Sequence, residues 1–372
     1  EHSLLPDLLL SFEKISCPPI KWLAPHTLFV SQNNELSTSE KTFFVSVVTP
    51  CYNSAKYLDD YFTSLINQRL NFENSIEVIC VDDGSSDNTM EIILQWIQKY
   101  PANIRYIYKD NGGAASARNI GMHYANAPWI AFIDSDDTIG KKYFKIAHQE
   151  LQKNENAFVR MIVCKQLAYI ERTKKFEDRH PLNFRFRSQN KRITLKENTS
   201  FIQVAQACTM ISNDIVKYHE IHAKDDIVPI FEDGEMMAQY MKSMENYDVL
   251  LSDKMVYYQR KRISGNSLYT SAMDHESYYI SPFRDGMLRT LQEMRKKFGN
   301  APRYVQDAIL FSLRQNIRRI TSYKKERKLD KQSIKKFEKI ASKIAKLIDD
   351  STIMQPYVAN FGPVFQFLFL HH

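Results

Sequence analysis

The stretch Ile130-Ala131-Phe132-Ile133-Asp134-Ser135-Asp136-Asp137 runs four strand-forming apolar residues straight into three carboxylates. An apolar run of this length, bounded by turn-forming polar residues, reads as a buried strand of a parallel sheet. Carboxylates crowded at the end of a buried strand repel one another and desolvate poorly. The expected compensation is a hard divalent cation, which takes oxygen ligands and bridges protein to phosphate.

Working outward, the same reading recurs. Residues 43–49, 76–81, 104–108 and 129–133 read as strands. Residues 55–68, 87–100 and 114–125 read as helices, with Asp87 as N-cap of the second. Strands alternating with helices of this length predict βαβ units, hence an α/β fold with a Rossmann-like, mostly parallel central sheet. Ligands of such sheets bind beyond the carboxyl ends of the strands. The polar clusters lie there: Pro50-Cys51-Tyr52-Asn53, Asp82-Asp83-Gly84-Ser85, and Asp134 to Asp137.

These clusters, VSVVTPCYNSAKYL, EVICVDDGSSDNT, NGGAASARNIG and IAFIDSDD, together resemble glycosyltransferase family 2. The resemblance is strong over residues 45–139 and weaker to about 267, through Phe231-Glu232-Asp233 and Tyr258-Gln259-Arg260-Lys261-Arg262. It implies a GT-A fold, a nucleotide-diphosphate sugar donor and inversion at the anomeric carbon. It further implies bacterial enzymes of the capsule or teichoic-acid type, acting on a surface glycan or glycopolymer.

Each motif has its own physical reading. Pro50 and Tyr52 end the first strand with a rigid turn and an aromatic suited to stacking on a base. Asp82 and Asp83 put acceptors where a pyrimidine N3–H or ribose hydroxyls would sit, and this set makes UDP the expected nucleotide. Asn111 and Gly113 open a helix of small side chains whose N-terminus favours phosphate or sugar hydroxyls, and Arg118 supplies a fork of donors to a diphosphate or to the second carboxylate cluster. Asp134, Ser135 and Asp136 form the D-x-D element. By resemblance Asp136 contacts Mn2+ or Mg2+ and Asp134 the ribose or the metal shell, with Asp137 near the sugar. Inverting transfer needs a general base, and the resemblance maps it onto Asp233, with Glu232 and Glu235 as fallbacks. Arg260 and Arg262 are expected to clamp the diphosphate together with residues 264–267. His222 and His275 are weaker candidates for the metal shell. The catalytic set is thus Asp233, Asp136 and Arg118.

Beyond the motifs, residues 1–42 are expected to be a partly helical extension. Residues 43–270 form the GT-A domain, with a strand at 158–170, a hairpin at 184–195 and a strand at 249–259. Residues 271–372 are expected to be helical. The net charge of +7 is concentrated: ten Lys/Arg face three Asp/Glu between Lys324 and Lys346, while the remainder is near neutral. Without basic–aromatic interleaving this excludes a nucleic-acid partner. In residues 333–348 apolar residues recur at helical spacing opposite lysines, the pattern of a surface helix or of one that meets an anionic membrane or polymer. The five scattered cysteines form no CxxC pair or zinc spacing, and fit a reducing cytosol. No run of about 18 apolar residues exists, so the expected place is the cytoplasm, with peripheral attachment to the inner membrane face. The chain opens at Glu1 and ends on His371-His372, so a longer native polypeptide with further domains is expected. Two alternatives remain at this level: a non-catalytic sugar-nucleotide or glycan-binding module, and a processive synthase module.

Overall fold

The structure, a computed structural model, describes residues 10–16, 27–33, 41–187, 191–196, 201–228, 230–263, 278, 280–322 and 331–353. Residues 264–267, His275 and 324–330, singled out above, lie outside the described residues. The chain divides into two compact units whose segments interleave. The first comprises Glu1–Arg192, Ala207–His222 and Asp248–Ile263; the second Ile193–Gln206, Ala223–Tyr247 and Ser264–His372.

The first unit is built on one sheet. Its strands are β1 (Leu10–Ser16), β2 (Thr27–Asn33), β3 (Val45–Cys51), β4 (Ile76–Asp82), β5 (Ile104–Tyr108), β6 (Trp129–Phe132), β7 (Thr138–Ile139), β8 (Val159–Ile170) and β9 (Lys175–Glu177). A short β10 (Lys191–Thr194) stands where the chain first passes from one unit to the other, and β11 (Thr209–Ser212) and β12 (Asp248–Lys261) complete the set. The order runs β1-β2-β5-β4-β3-β6-β11-β8-β12. The β5-β4-β3-β6 centre is parallel throughout, whereas β11 pairs antiparallel with both β6 and β8. Because the chain adds β4 and β5 on one side of β3 and then returns to place β6 on the other, the strand order reverses between β3 and β6. In open α/β sheets that reversal opens the ligand crevice.

Helices α1 (Ala55–Ile66), α2 (Phe72–Ser75), α3 (Thr89–Lys99), α4 (Gly113–Tyr124), α5 (Tyr143–Leu151) and α6 (Asn213–Tyr218) connect these strands. The core joins Val45, Val47, Val78 and Cys80 of the central strands to Leu58, Tyr61, Phe62, Ile93, Ile97 and Phe144 of the helices, all buried. Helix α4 can lie flat on the sheet because its side chains are small; a Cβ at Gly121 would overlap the Val48 side chain.

Three expectations need correction. Residues 10–16 and 27–33 are not helical: they form an antiparallel pair, and β2 extends the sheet at β5 through Phe29↔Tyr108 and Val30↔Ile107. An open strand edge offers unpaired backbone groups, a tertiary demand that no local periodicity encodes. The hairpin expected at 184–195 lies earlier, where β8 pairs antiparallel with β9 (Ala168↔Glu177). Its turn, Glu171-Arg172-Thr173-Lys174, contains none of the usual turn formers, and Lys174 takes φ +53°. In place of that hairpin, Asn183–Arg187 is a 3-10 turn. Finally, α3 begins at Thr89, two residues after Asp87, although Asp87 still accepts the Thr89 N–H at 3.1 Å.

The second unit carries α7 (Glu232–Ser243), a π-helical segment Pro282–Leu288, α8 (Arg289–Phe298), α9 (Arg303–Ser322), α10 (Lys331–Ala345) and α11 (Asp350–Ile353). Along α10 and just past its end, Lys335, Lys336, Lys339, Lys343 and Lys346 are exposed. On its apolar side Ile344 is buried and Phe337 meets Phe283 edge-on at 4.9 Å. No described helix is long and apolar enough to cross a membrane.

Candidate active site

Two carboxylate clusters flank the carboxyl end of β3, one after β4 and one after β6. Pro50 falls where its missing N–H does little harm, because the β6 ladder has already ended at Val48↔Phe132. Tyr52, just beyond, keeps an open ring (46% exposed). Asn53 takes φ +48° and crosses to the β4 loop. Its N–H donates to Ser85 Oγ at 2.9 Å, and its Oδ1 accepts from Ser86 N at 2.8 Å.

The first cluster is Asp82 and Asp83, 1% and 4% exposed. Asp82 accepts from Ser85 N and from Tyr106 Oη, each at 2.9 Å. Burial, then the Asp82 charge, pushes the Tyr106 phenol far up, so it stays a donor. Asp83 is held from three directions. The ammonium of Lys109, itself fully buried, bonds Oδ1; Gly112 N donates to Oδ1 at 2.9 Å and Gly113 N to Oδ2 at 2.8 Å. Asn111 Nδ2 donates to the Asp83 carbonyl at 2.9 Å. Gly113 sits at φ +89°, a conformation a Cβ would strain, and this aims consecutive amides at one carboxylate. The glycine turn expected to receive phosphate therefore spends two of its N–H groups on Asp83.

The second cluster is Asp134, Asp136 and Asp137. Arg118 reaches from α4 to Asp134 Oδ1 at 2.9 Å. Arg262 places both Nε (2.8 Å) and a terminal nitrogen (2.6 Å) on Asp136 Oδ2. Asp137, 3% exposed, accepts from Tyr257 Oη at 2.6 Å and from the Arg260 N–H at 2.7 Å. Ser135 Oγ meets Ser54 Oγ at 2.7 Å, tying this loop to the N-terminus of α1. Even so the negative charge is under-compensated. Burial raises the Asp136 carboxyl above its ordinary value, with Arg262 opposing and Asp134 adding to the rise. Asp137 is raised further, by burial and then by repulsion from Asp136 and Asp134.

Among the described residues no three His, Cys, Asp or Glu side chains gather to hold a metal by themselves. Mg2+ and Mn2+ can bind through one or two carboxylates and complete their shell with phosphate oxygens and water. Asp134 and Asp136 fit: each bonds its arginine through one oxygen, and the surplus charge favours a cation.

Arg260, in contrast, is built into the scaffold. Its side chain is 8% exposed, bonded to the Asp136 carbonyl and to Asp60 Oδ2, each at 2.8 Å. The guanidinium lies 5.2 Å from the ring centres of both Tyr57 and Tyr169. Sequence reasoning missed Lys109, Tyr106 and Tyr257. The signal for Lys109 was present: a cation directly after the last strand residue, immediately before Asp110-Asn111-Gly112-Gly113.

Residues 46–219 match the family model described as Glycosyl transferase family 2. This segment is a glycosyl transferase family 2 domain. The chain is similar to the minor teichoic acid biosynthesis protein GgaB of Bacillus subtilis (28% identical over 85% of this chain and 34% of that protein). It is similar too to the poly(ribitol-phosphate) beta-N-acetylglucosaminyltransferase TarS of Staphylococcus aureus (25% identical over 63% of this chain and 38% of that protein). The chain thus spans about a third of the length of these two curated relatives. The crystal structure of S. aureus TarS 1-349 in complex with UDP-GlcNAc superposes with a TM-score of 0.59 at 19% identity, covering 83% of this chain and 82% of that one. That likeness shows the GT-A fold.

Asp233 lies beyond the matched segment and belongs to the second unit. It is partly exposed in the first turn of α7 beside Glu232 and Glu235, where the helix dipole favours negative charge. Its Oδ1 accepts its neighbour's N–H, Gly234, at 2.8 Å. The helix is entered through Phe231 at φ +82°, strained for a residue with a side chain and held there by packing. A Cβ on Gly234 or Gly286 would come within 2.8 Å of the Phe231 ring. Glu235 is buried, bonded to Gln239 Nε2 at 2.7 Å and paired with Lys224 at 3.2 Å, and burial raises its carboxyl. His222 bonds the Glu220 carbonyl at 2.9 Å.

Proposed function

We propose that this chain transfers a sugar, with inversion, from a UDP-sugar to a hydroxyl of a phosphate-rich surface glycopolymer of the teichoic-acid kind. The observation that carries the reading is the under-compensated Asp134–Asp136–Asp137 cluster at the strand-order reversal. The names of GgaB and TarS, and the UDP-GlcNAc complex of TarS, support the donor and acceptor classes.

Tyr52 offers a stacking face to the uracil, at the strand ends whose loops Asp82, Asp83 and Asn111 hold in shape. Asp134 and Asp136 would hold Mn2+ or Mg2+, which when bound neutralises the leaving diphosphate. Arg118 fixes the Asp134 carboxylate, and Arg260 fixes the loop through the Asp136 carbonyl. Arg262 is the donor fork available to the diphosphate. The family resemblance assigns the base role to Asp233, whose carboxylate accepts the proton of the attacking hydroxyl. The exposed lysines of α10 suit peripheral contact with an anionic membrane on the cytoplasmic side.

The test is transfer from UDP-GlcNAc and other UDP-sugars, with Mn2+, onto polyol-phosphate polymers, reading the product anomer by NMR. Inverted product from wild type, and UDP binding without transfer in Asp233→Asn, are expected. Retained anomeric configuration, or no UDP binding, overturns the reading.

A further inference from the structure

Three arginines surround the second acid cluster, and they are not equivalent. The Arg118 and Arg260 side chains are 11% and 8% exposed, whereas that of Arg262 is 27% exposed. Arg260 touches only the main chain of Asp136, through its carbonyl, while Arg262 neutralises the Asp136 carboxylate itself. It does so unevenly: both of its nitrogens converge on Oδ2 instead of forking across the two oxygens. The guanidinium also lies 4.7 Å from the centre of the Tyr57 ring, a face on which it can rest by cation–π attraction without Asp136.

We propose that Arg262 is an exchangeable counter-ion that holds the divalent cation's place on Asp136 and gives it up when the cation arrives together with a diphosphate. This rests on the reading of Asp134 and Asp136 as cation ligands. A guanidinium and a divalent cation on one carboxylate repel strongly at contact distance, so a cation entering alone must displace Arg262 without replacing its partner. A diphosphate removes that conflict, because its oxygens ligate the cation and accept the arginine fork together. Arg262 therefore couples the two ligands: cation alone binds weakly, nucleotide alone binds weakly, and each strengthens the other reciprocally.

The experiment titrates Mn2+ into the whole chain by electron paramagnetic resonance, with and without UDP, for wild type, Arg262→Gln, Arg262→Lys and Asp136→Asn. Arg262→Gln should bind Mn2+ alone about tenfold more tightly, and the strengthening of Mn2+ binding by UDP should shrink by about the same factor. Arg262→Lys should fall between, and it carries the test if the glutamine variant fails to fold. Unchanged or weaker binding of Mn2+ alone in the Arg262 variants overturns the inference while leaving the proposed function standing. If wild type binds no Mn2+ even with UDP, or Asp136→Asn still binds it, the cation reading fails and this inference with it.

Discussion

The two acid clusters beside β3 look alike in sequence and differ in what the fold supplies to them. Asp82 and Asp83 meet an ammonium, three backbone amides and a phenol, and are closed off from solvent. Asp134, Asp136 and Asp137 present three carboxylates to the side chains of Arg118 and Arg262, with Tyr257 and one backbone amide at Asp137. Two of the three are raised above their ordinary ionisation range. A fully satisfied cluster is part of the scaffold. A cluster left with surplus charge is where an external cation has something to gain. The number of donors a fold brings, more than the number of acids, separates the two.

The sharpest way to break this contrast is to remove one carboxylate from the second cluster. Asp136→Asn should lower kcat by about a thousandfold, about 4 kcal/mol in the barrier, while urea unfolding shows stability within about 1 kcal/mol of wild type. A large stability loss with modest loss of turnover would make Asp136 a scaffold residue after all. In the first cluster the signature should reverse. Lys109→Met leaves Asp83 buried without its ammonium and should cost about 3 kcal/mol, the low end for a broken buried pair because the glycine amides remain. Adding Asp83→Asn to Lys109→Met should recover part of that loss; strict additivity of the two would show that the pair is not coupled.

Much of this was legible in the sequence. The four central strands and the helices between them follow from apolar runs that a parallel sheet buries on both faces, as the fully buried β4 shows. The acids were legible as acids at strand ends. What the sequence hid was their partnership. Lys109, Gly112 and Gly113 reach Asp83 from 26 to 30 positions away, and Tyr257 reaches Asp137 across 120. Such pairings depend on strand order, which periodicity does not carry. The glycine turn illustrates the gap: its composition suggests an anion site, and the anion its amides hold is largely the protein's own Asp83. The N-terminal strands were hidden for a related reason, since β2 answers an edge created by β5 about 75 residues later.

A smaller effect tests the arginine that orients the second cluster. Arg118→Lys keeps the charge and loses the planar fork, so Asp134 keeps a counter-ion but not its orientation. Donor kcat/KM should fall about tenfold, about 1.4 kcal/mol, with little change in melting temperature. Unchanged kcat/KM would remove Arg118 from the site and leave Asp134 to be positioned by its backbone.

The smallest effect reads the surplus charge directly. The Asp137 carboxyl is raised well above its ordinary value of 3.8, by burial first and then by Asp136 and Asp134. Between that ordinary value and the raised one, the folded protein keeps a proton that the unfolded chain has released. Stability is therefore greatest on the acid side of this interval and falls as pH rises through it. Asp137→Asn has no proton to lose, and its amide oxygen can still accept one of the two bonds Asp137 makes. Measured from pH 4 upward, the wild-type melting temperature should fall relative to that of Asp137→Asn, by about 2–4 °C for each kcal/mol of penalty. Saturating Mn2+ and UDP should flatten the wild-type slope, because a cation on Asp134 and Asp136 reduces the repulsion that Asp137 feels. Parallel profiles for the two proteins would mean that the second cluster is as well compensated as the first, and the distinction between scaffold acids and working acids would have to be drawn elsewhere.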